Sequence, residues 1–161
     1  MSLYDSEPIF KNTINEILKK INNGYGGDMC KRIALRFEDA SLKDIAFTSS
    51  IETGAWAANP NGTIHGGIIA AILDQSMGVL STCLTGGKIT PTISMNISYA
   101  KPVPLDKRIF IKSHMISGSV TMFNMSCEAW VEGKSETTIA SATGIYHIPK
   151  NKPSIIASFN K

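Results

Sequence analysis

A stretch of 35 residues, from Thr53 to Gly87, contains a single charged side chain, Asp74, although charged residues make up 18% of the whole chain. Within this stretch, residues 64–84 are apolar apart from a few polar or small residues, which predicts one long helix from about residue 65 to residue 84. Such a helix is apolar nearly all round, so other elements of the fold must surround it. Its polar interruptions favour a buried helix over a membrane span.

The segments on either side of this helix predict a further helix and six strands. Residues 10–21 repeat apolar side chains with helical spacing, and Ser6 is the predicted N-cap. Strands separated by turn residues are predicted over residues 33–37, 45–51, 92–99, 108–117, 120–131 and 137–148. In the third of these strands polar and apolar residues alternate strictly, which predicts Thr92 on a polar face and Ile93 on a packed face.

The order of these elements defines the fold class. A helix and two strands are followed by the long helix and then by four strands, which is typical of an antiparallel α+β domain. We expect a curved antiparallel sheet of five or six strands wrapped around the long central helix, with an extra N-terminal helix. This is the outline of a hotdog fold. The length predicts a single domain over residues 1–161, with its core at about residues 28–148.

Charge and cysteine content exclude several classes of function. The formal net charge of +3 is too small, and the basic residues are too scattered, to predict a nucleic-acid-binding surface. The three cysteines are odd in number and far apart, which argues against a disulfide framework or a zinc site. The N-terminal residues lack the apolar region of a secretory signal. We therefore predict a cytoplasmic protein that binds no metal, nucleic acid or membrane.

Asp74 and the loop before its helix are the strongest candidates for chemistry. A buried carboxylate without a partner costs several kcal/mol, and the neighbouring helix positions are mostly small residues that leave room for a substrate or another subunit. Gly66 and Gly67 begin the helix, where unpaired backbone N–H groups suit an oxyanion or a polarised carbonyl. His65 either orients this loop or acts as a general base. The alternatives are a solvent-facing Asp74, one held by backbone donors, or a simple turn and helix cap.

Three motifs occur together and in order: NPNGTIHGG at residues 59–67, the apolar helix with Asp74, and the strand TISMNISYAKPVP at residues 92–104. With the opening MCKRIALRF, this pattern resembles the PaaI-type acyl-CoA thioesterases of the 4-hydroxybenzoyl-CoA thioesterase-like hotdog superfamily. The resemblance covers about residues 28–148.

The resemblance implies roles for five residues. By analogy, Gly66 donates its backbone N–H to the thioester carbonyl, and Asp74 reaches the site from the neighbouring subunit as nucleophile or general base. Asn59 helps to hold the thioester or the attacking water. Thr92 assists Asp74, and His65 orients the loop.

These features predict an acyl-CoA thioesterase that hydrolyses an aromatic or fatty acyl-CoA to the free acid and CoA. The resemblance and the open sheet edges predict a homodimer or homotetramer. No cofactor is predicted, because the CoA belongs to the substrate. The alternative is a non-catalytic acyl-CoA-binding or sensor protein on the same fold. A serine hydrolase is not supported, because the chain has no GxSxG motif.

Overall fold

A computed structural model describes residues 6–25 and 27–156. Two helices precede the first two strands. A long central helix comes next in the chain, and four more strands follow it. The elements are α1 Glu7–Lys20, α2 Gly27–Ile33, β1 Arg36–Ser41, β2 Ala46–Glu52, α3 Gly66–Leu84, β3 Thr92–Tyr99, β4 Arg108–Gly118, β5 Met122–Val131 and β6 Ala140–His147.

The strands form one antiparallel sheet in the order β1-β2-β4-β5-β6-β3, so β1 and β3 are its edges. Helix α3 packs against β2, β3, β4, β5 and β6 and buries Leu73, Met77 and Leu80 completely. By length and composition alone α3 is apolar enough to cross a membrane, but most of it is buried inside the fold, as a core helix is. The predicted α+β hotdog architecture is confirmed.

Helix α1 covers one end of this core and confirms the predicted N-terminal helix. Its apolar stripe, represented by Phe10 and Ile14, is fully buried against α3 and β1. Ser6 is the N-cap residue as predicted, but its side chain makes no capping hydrogen bond. The helix continues into a π-helical turn, Ile21–Tyr25, in which Gly24 adopts the left-handed conformation with φ 101°.

The segment between α1 and β1 differs from the prediction. The sequence predicts a loop over residues 24–28 and a strand over residues 33–37, whereas the structure has helix α2 there and begins β1 at Arg36. Asp28 in the first turn of α2 and Lys31 in its last turn complement the helix dipole. Ala34, at φ 45°, then ends the helix. A helix of seven residues is too short for its periodicity to stand out in the sequence.

Candidate active site

Asp74 lies half-buried in the middle of α3 and borders a cavity of about 300 Å³. Its carboxylate is held by two hydroxyl groups rather than by a cation. Thr92 Oγ1 donates to Asp74 Oδ1 at 2.8 Å, and the Tyr146 hydroxyl donates to the same oxygen at 2.8 Å and to the Asp74 carbonyl at 3.2 Å. Asp74 is therefore neither free in solvent nor held by backbone donors, and its second carboxylate oxygen has no hydrogen bond within the described residues.

Thr92 reaches Asp74 because of a β-bulge at the start of β3. The register with β6 shifts between Thr92 and Ser94, so Ile93 is the extra residue and Thr92 lies opposite Tyr146. A bulge of this kind turns a side chain to the other face of the sheet. Strict alternation, which predicts Thr92 on the polar face and Ile93 on the packed face, is wrong here. Thr92 faces the helix, and Ile93 is 54% exposed.

Tyr146 is the site residue that the sequence interpretation missed. It is almost completely buried, and two glycines give its ring room to reach Asp74: a Cβ on Gly144 would lie 2.9 Å from the ring, and one on Gly78 would lie 3.8 Å away. Burial, together with the nearby Asp74 charge, raises the pKa of Tyr146 far above its usual value. The hydroxyl thus stays protonated and remains a donor. The sequence signal that could have identified Tyr146 is its position two residues after a glycine, on the face of β6 that points into the core.

Asn59 lies in the loop before α3, and its side chain is fully used inside that loop. Asn59 Nδ2 donates to Thr63 Oγ1 at 2.8 Å and, more weakly, to the Ile64 carbonyl at 3.4 Å. Asn59 Oδ1 accepts the backbone N–H groups of Asn61 at 2.9 Å and Thr63 at 3.1 Å. This is the local hydrogen bonding by which asparagine stabilises turns. In this structure Asn59 shapes the loop that leads into α3.

His65 is the N-cap of α3. Its Nδ1 accepts the backbone N–H of Gly67 at 2.9 Å, so this nitrogen carries no proton and satisfies one of the unpaired amides of the helix start. The backbone of His65 is also fixed, because its N–H donates to the Ala57 carbonyl at 2.7 Å. This geometry favours the orienting role for His65 over a general base acting through Nδ1.

Gly66 is the first residue of α3, and its N–H has no acceptor within the described residues. The aromatic ring of Tyr99 packs beside it: a Cβ on Gly66 would lie 3.6 Å from the ring, in ordinary contact. The Tyr99 hydroxyl also donates to the Gly66 carbonyl at 3.1 Å. Gly66 is thus held through its carbonyl group, while its N–H remains able to donate to a ligand.

The five predicted residues fall into two groups, with Asp74 and Thr92 in one and the loop residues Asn59, His65 and Gly66 in the other. Asp74 and Thr92 border the cavity described above, whereas Asn59 and Gly66 border a separate surface pocket that shares no residue with it. Asp74 is eight residues after Gly66 on one helix, which separates them by about 12 Å at the usual rise per residue. The two groups of one chain therefore do not converge on one reacting atom.

Residues 61–138 match the family model described as the Thioesterase superfamily. This match covers slightly less than half of the chain, and it lies on the central helix and the strands of the hotdog fold. Human acyl-coenzyme A thioesterase 13 is 31% identical over 64 residues, which are 40% of this chain and 46% of the human protein. The matched region thus spans about half the length of such curated relatives.

Solved structures agree with the hotdog fold. The Escherichia coli PaaI protein of the phenylacetic acid degradation operon gives a TM-score of 0.70 at 13% identity, covering 87% of this chain and 98% of that one. A Streptococcus mutans protein solved with acetyl CoA gives a TM-score of 0.64 at 19% identity, covering 74% and 91%. The resemblance of the sequence motifs to PaaI-type hotdog thioesterases is confirmed.

The family match covers most of the candidate site but not all of it. His65, Gly66, Asp74 and Thr92 lie inside residues 61–138, and Asn59 lies just before them, while Tyr146 lies beyond the matched region. Within residues 6–25 and 27–156 no group of three His, Cys, Asp or Glu side chains is arranged to hold a metal ion.

Proposed function

We propose that this chain hydrolyses acyl-CoA thioesters in a site made from two copies of the chain. The Gly66 N–H of one subunit donates a hydrogen bond to the thioester carbonyl oxygen and polarises the carbonyl. Asp74 of the partner subunit either attacks the carbonyl carbon or takes a proton from an attacking water. The carbon–sulfur bond then breaks, and CoA leaves as the thiol with a proton from water. In the nucleophilic route a second water releases the acid from Asp74.

The separation of the two half-sites is the observation that carries this proposal. Gly66 offers an N–H without an acceptor, and Asp74 offers a carboxylate oxygen without a donor. Both are held firmly, yet on one chain they lie two helical turns apart. A second copy related by a two-fold axis gives each Gly66 an Asp74 from the other chain, because a two-fold interface repeats its contacts.

Edge strand β3 is the natural surface for this pairing. It hydrogen-bonds to β6 on one side only, so its other side is an open sheet edge. Ile93 and Tyr99 on this strand are 54% and 52% exposed, and Tyr25 and Met29 at the cavity are 60% and 51% exposed. Covering these apolar side chains favours a homodimer, from which a homotetramer can be built.

The substrate class and location belong to the proposal as well. The curated relatives are named acyl-coenzyme A thioesterases, and the S. mutans neighbour was solved with acetyl CoA. The cavity beside Asp74 is lined mainly by apolar side chains, including Ile33 and Val79, which suits the acyl part of an aromatic or fatty acyl-CoA. A cytoplasmic location fits the free thiols of Cys30, Cys83 and Cys127.

The direct test is release of CoA from a panel of aromatic and fatty acyl-CoAs, measured with a thiol reagent. The wild-type chain should release CoA, and Asp74→Asn should lose turnover by about 10² or more while keeping its fold, because a positioned base or nucleophile is removed. Binding of acyl-CoA without release of CoA would contradict the proposal and favour a sensor protein. Full turnover by Asp74→Asn would remove Asp74 from the mechanism.

Mixing two inactive variants tests the shared site. Asp74→Asn lacks the carboxylate, and Gly66→Pro lacks the N–H. If each site takes one group from each chain, unfolding and refolding the two together should restore about a quarter of the wild-type activity, since half of the dimers are mixed and each has one intact site of two. Recovery of no activity, with mixed dimers shown by native mass spectrometry, would place the whole site in one chain.

A further inference from the structure

Gln75, the residue after Asp74 on α3, has the most unusual polar environment of the cavity. Both polar atoms of its side-chain amide, Oε1 and Nε2, are buried and have no hydrogen-bond partner among the residues that the structure describes. Gln75 is also one of the residues that line the cavity beside Asp74. A buried amide without partners is rare in folded proteins and destabilises the ligand-free state. It therefore points to a partner that the free chain does not contain.

The threonine hydroxyls of this cavity already have partners. The Thr90 hydroxyl is hydrogen-bonded to Ser81 at 2.5 Å and to Thr82 at 3.4 Å. Asp74 is held by Thr92 and a tyrosine, as described above. Gln75 thus contributes a buried donor and a buried acceptor that are both unused within residues 6–25 and 27–156. Because Gln75 lines the cavity, its side chain lies next to any ligand that fills this volume.

The charges of the cavity restrict what this amide can recognise. None of the described residues that line the cavity is a lysine, arginine or histidine, and Asp74 places a carboxylate in it. An anionic acyl group would be repelled by this carboxylate and left without a cation. A hydroxyl is neutral, and it can accept from Nε2 and donate to Oε1 at the same time.

We propose that Gln75 selects acyl groups that carry a neutral hydrogen-bonding substituent, a hydroxyl group above all, over the unsubstituted acyl groups of the same length. This inference rests on the proposed function, because it takes the cavity beside Asp74 as the acyl pocket. The volume of about 300 Å³ is at the lower end for small-molecule sites, so it suits a short or medium acyl group. The hydroxyl replaces the partners that the amide lacks, and a plain acyl chain leaves the amide unpaired.

The test compares hexanoyl-CoA with its hydroxylated analogues, the hydroxyl being moved to each carbon in turn. The wild-type chain should favour at least one hydroxyhexanoyl-CoA in kcat/KM by about tenfold or more, as expected when a buried amide is paired rather than unpaired. Gln75→Met, which keeps the length and removes both polar atoms, should lose this preference. Without ligand it should melt at a higher temperature than the wild type, because the unpaired buried amide is gone.

Two further measurements separate this inference from its alternatives. Binding of hexyl-CoA and hydroxyhexyl-CoA thioethers, which cannot be hydrolysed, reports the same preference even if no thioester is turned over. A preference in binding without turnover would reject the proposed hydrolysis and keep the role of Gln75. Equal binding and turnover of the two series, or a ratio unchanged in Gln75→Met, would overturn the inference. A weaker dimer in Gln75→Met would also overturn it, because the amide would then belong to the subunit interface.

Discussion

The two halves of the candidate site are built in opposite ways. In the loop half, the side chains of Asn59 and His65 bond to groups two to five residues away, and within the described residues only the Tyr99 hydroxyl reaches Gly66 from a distant strand. In the carboxylate half, the partners of Asp74 lie 18 and 72 residues further along the chain. One half is a local turn with a helix cap, and the other exists only once α3, β3 and β6 have packed together.

This difference separates two kinds of contribution to catalysis. The loop supplies a backbone N–H, whose position depends on local geometry and not on any side chain of Gly66 itself. The other half supplies a side-chain carboxylate, whose orientation depends on hydroxyls from two neighbouring strands. Changes to the loop should therefore act through the amide or through loop stability, and changes near Asp74 should act on the turnover number.

The largest effect should come from removing the loop amide while keeping its backbone. Gly66 is the first residue of α3, a position that proline accepts, and His65 before it has extended dihedral angles, φ −61° and ψ 135°, that suit a following proline. Gly66→Pro should fold and should lower kcat by about 10²–10³, the effect of losing one oxyanion donor. Steady-state kinetics with the best acyl-CoA of the panel, alongside circular dichroism, provide the measurement.

Gly66→Ala is the matched control. It keeps the N–H and adds a methyl group 3.6 Å from the Tyr99 ring, an ordinary contact. Its loss of kcat should be at least about tenfold smaller than that of the proline variant. Equal losses in both variants would show that the free space at Gly66, and not its N–H, is what the reaction requires.

The next effect compares two tyrosine hydroxyls, one in each half. Tyr146→Phe removes a buried hydrogen bond to the Asp74 carboxylate and should lower kcat by about tenfold or more with KM little changed, because bonds to charged groups are the stronger ones. Tyr99→Phe removes a bond from an exposed side chain to the Gly66 carbonyl and should cost only about twofold to fivefold. The reverse order would mean that the loop, and not Asp74, depends on its tyrosine.

The raised pKa of Tyr146 leads to a prediction about the stability of the fold at alkaline pH. Burial and the Asp74 charge raise its pKa in the folded state, so the folded chain holds this proton more tightly than the unfolded chain does. Stability should therefore fall as pH rises above about 10, the value for an unfolded tyrosine. The buried thiol of Cys127, whose pKa is raised to about 12, contributes in the same direction. In urea unfolding at increasing pH, the free energy of unfolding should decline less steeply for Tyr146→Phe than for the wild type. Parallel declines would exclude Tyr146 as a cause of the loss of stability.

The same difference between the halves explains what the sequence predicts and what it does not. The sequence predicts the long apolar helix, the antiparallel strands and the loop motif, because each of them is marked by a periodic or local pattern of residues. The 18-residue spacing of Asp74 and Thr92 came from family resemblance, and the bulge that brings them together is invisible to a strict alternation pattern. Tyr146 bonds Asp74 only through tertiary packing, in the space left by Gly144. Helix α2 was missed because its two turns carry no clear apolar period.

The smallest effect in this series tests the local character of the loop. Asn59→Ala removes the side chain that accepts two backbone N–H groups and donates to Thr63, and it should destabilise the fold by about 1–2 kcal/mol. This corresponds to a fall in melting temperature of about 2–4 °C per kcal/mol for a domain of this size.

Asn61→Ala is the control in the same loop, because the Asn61 side chain makes no hydrogen bond within the described residues and is exposed. It should change stability by less than about 0.5 kcal/mol. If Asn59→Ala instead leaves the melting temperature unchanged and lowers kcat, Asn59 acts on the thioester or the attacking water rather than on the loop. The loop half would then depend on a side chain, as the Asp74 half does, and the contrast between a backbone half and a side-chain half would no longer hold.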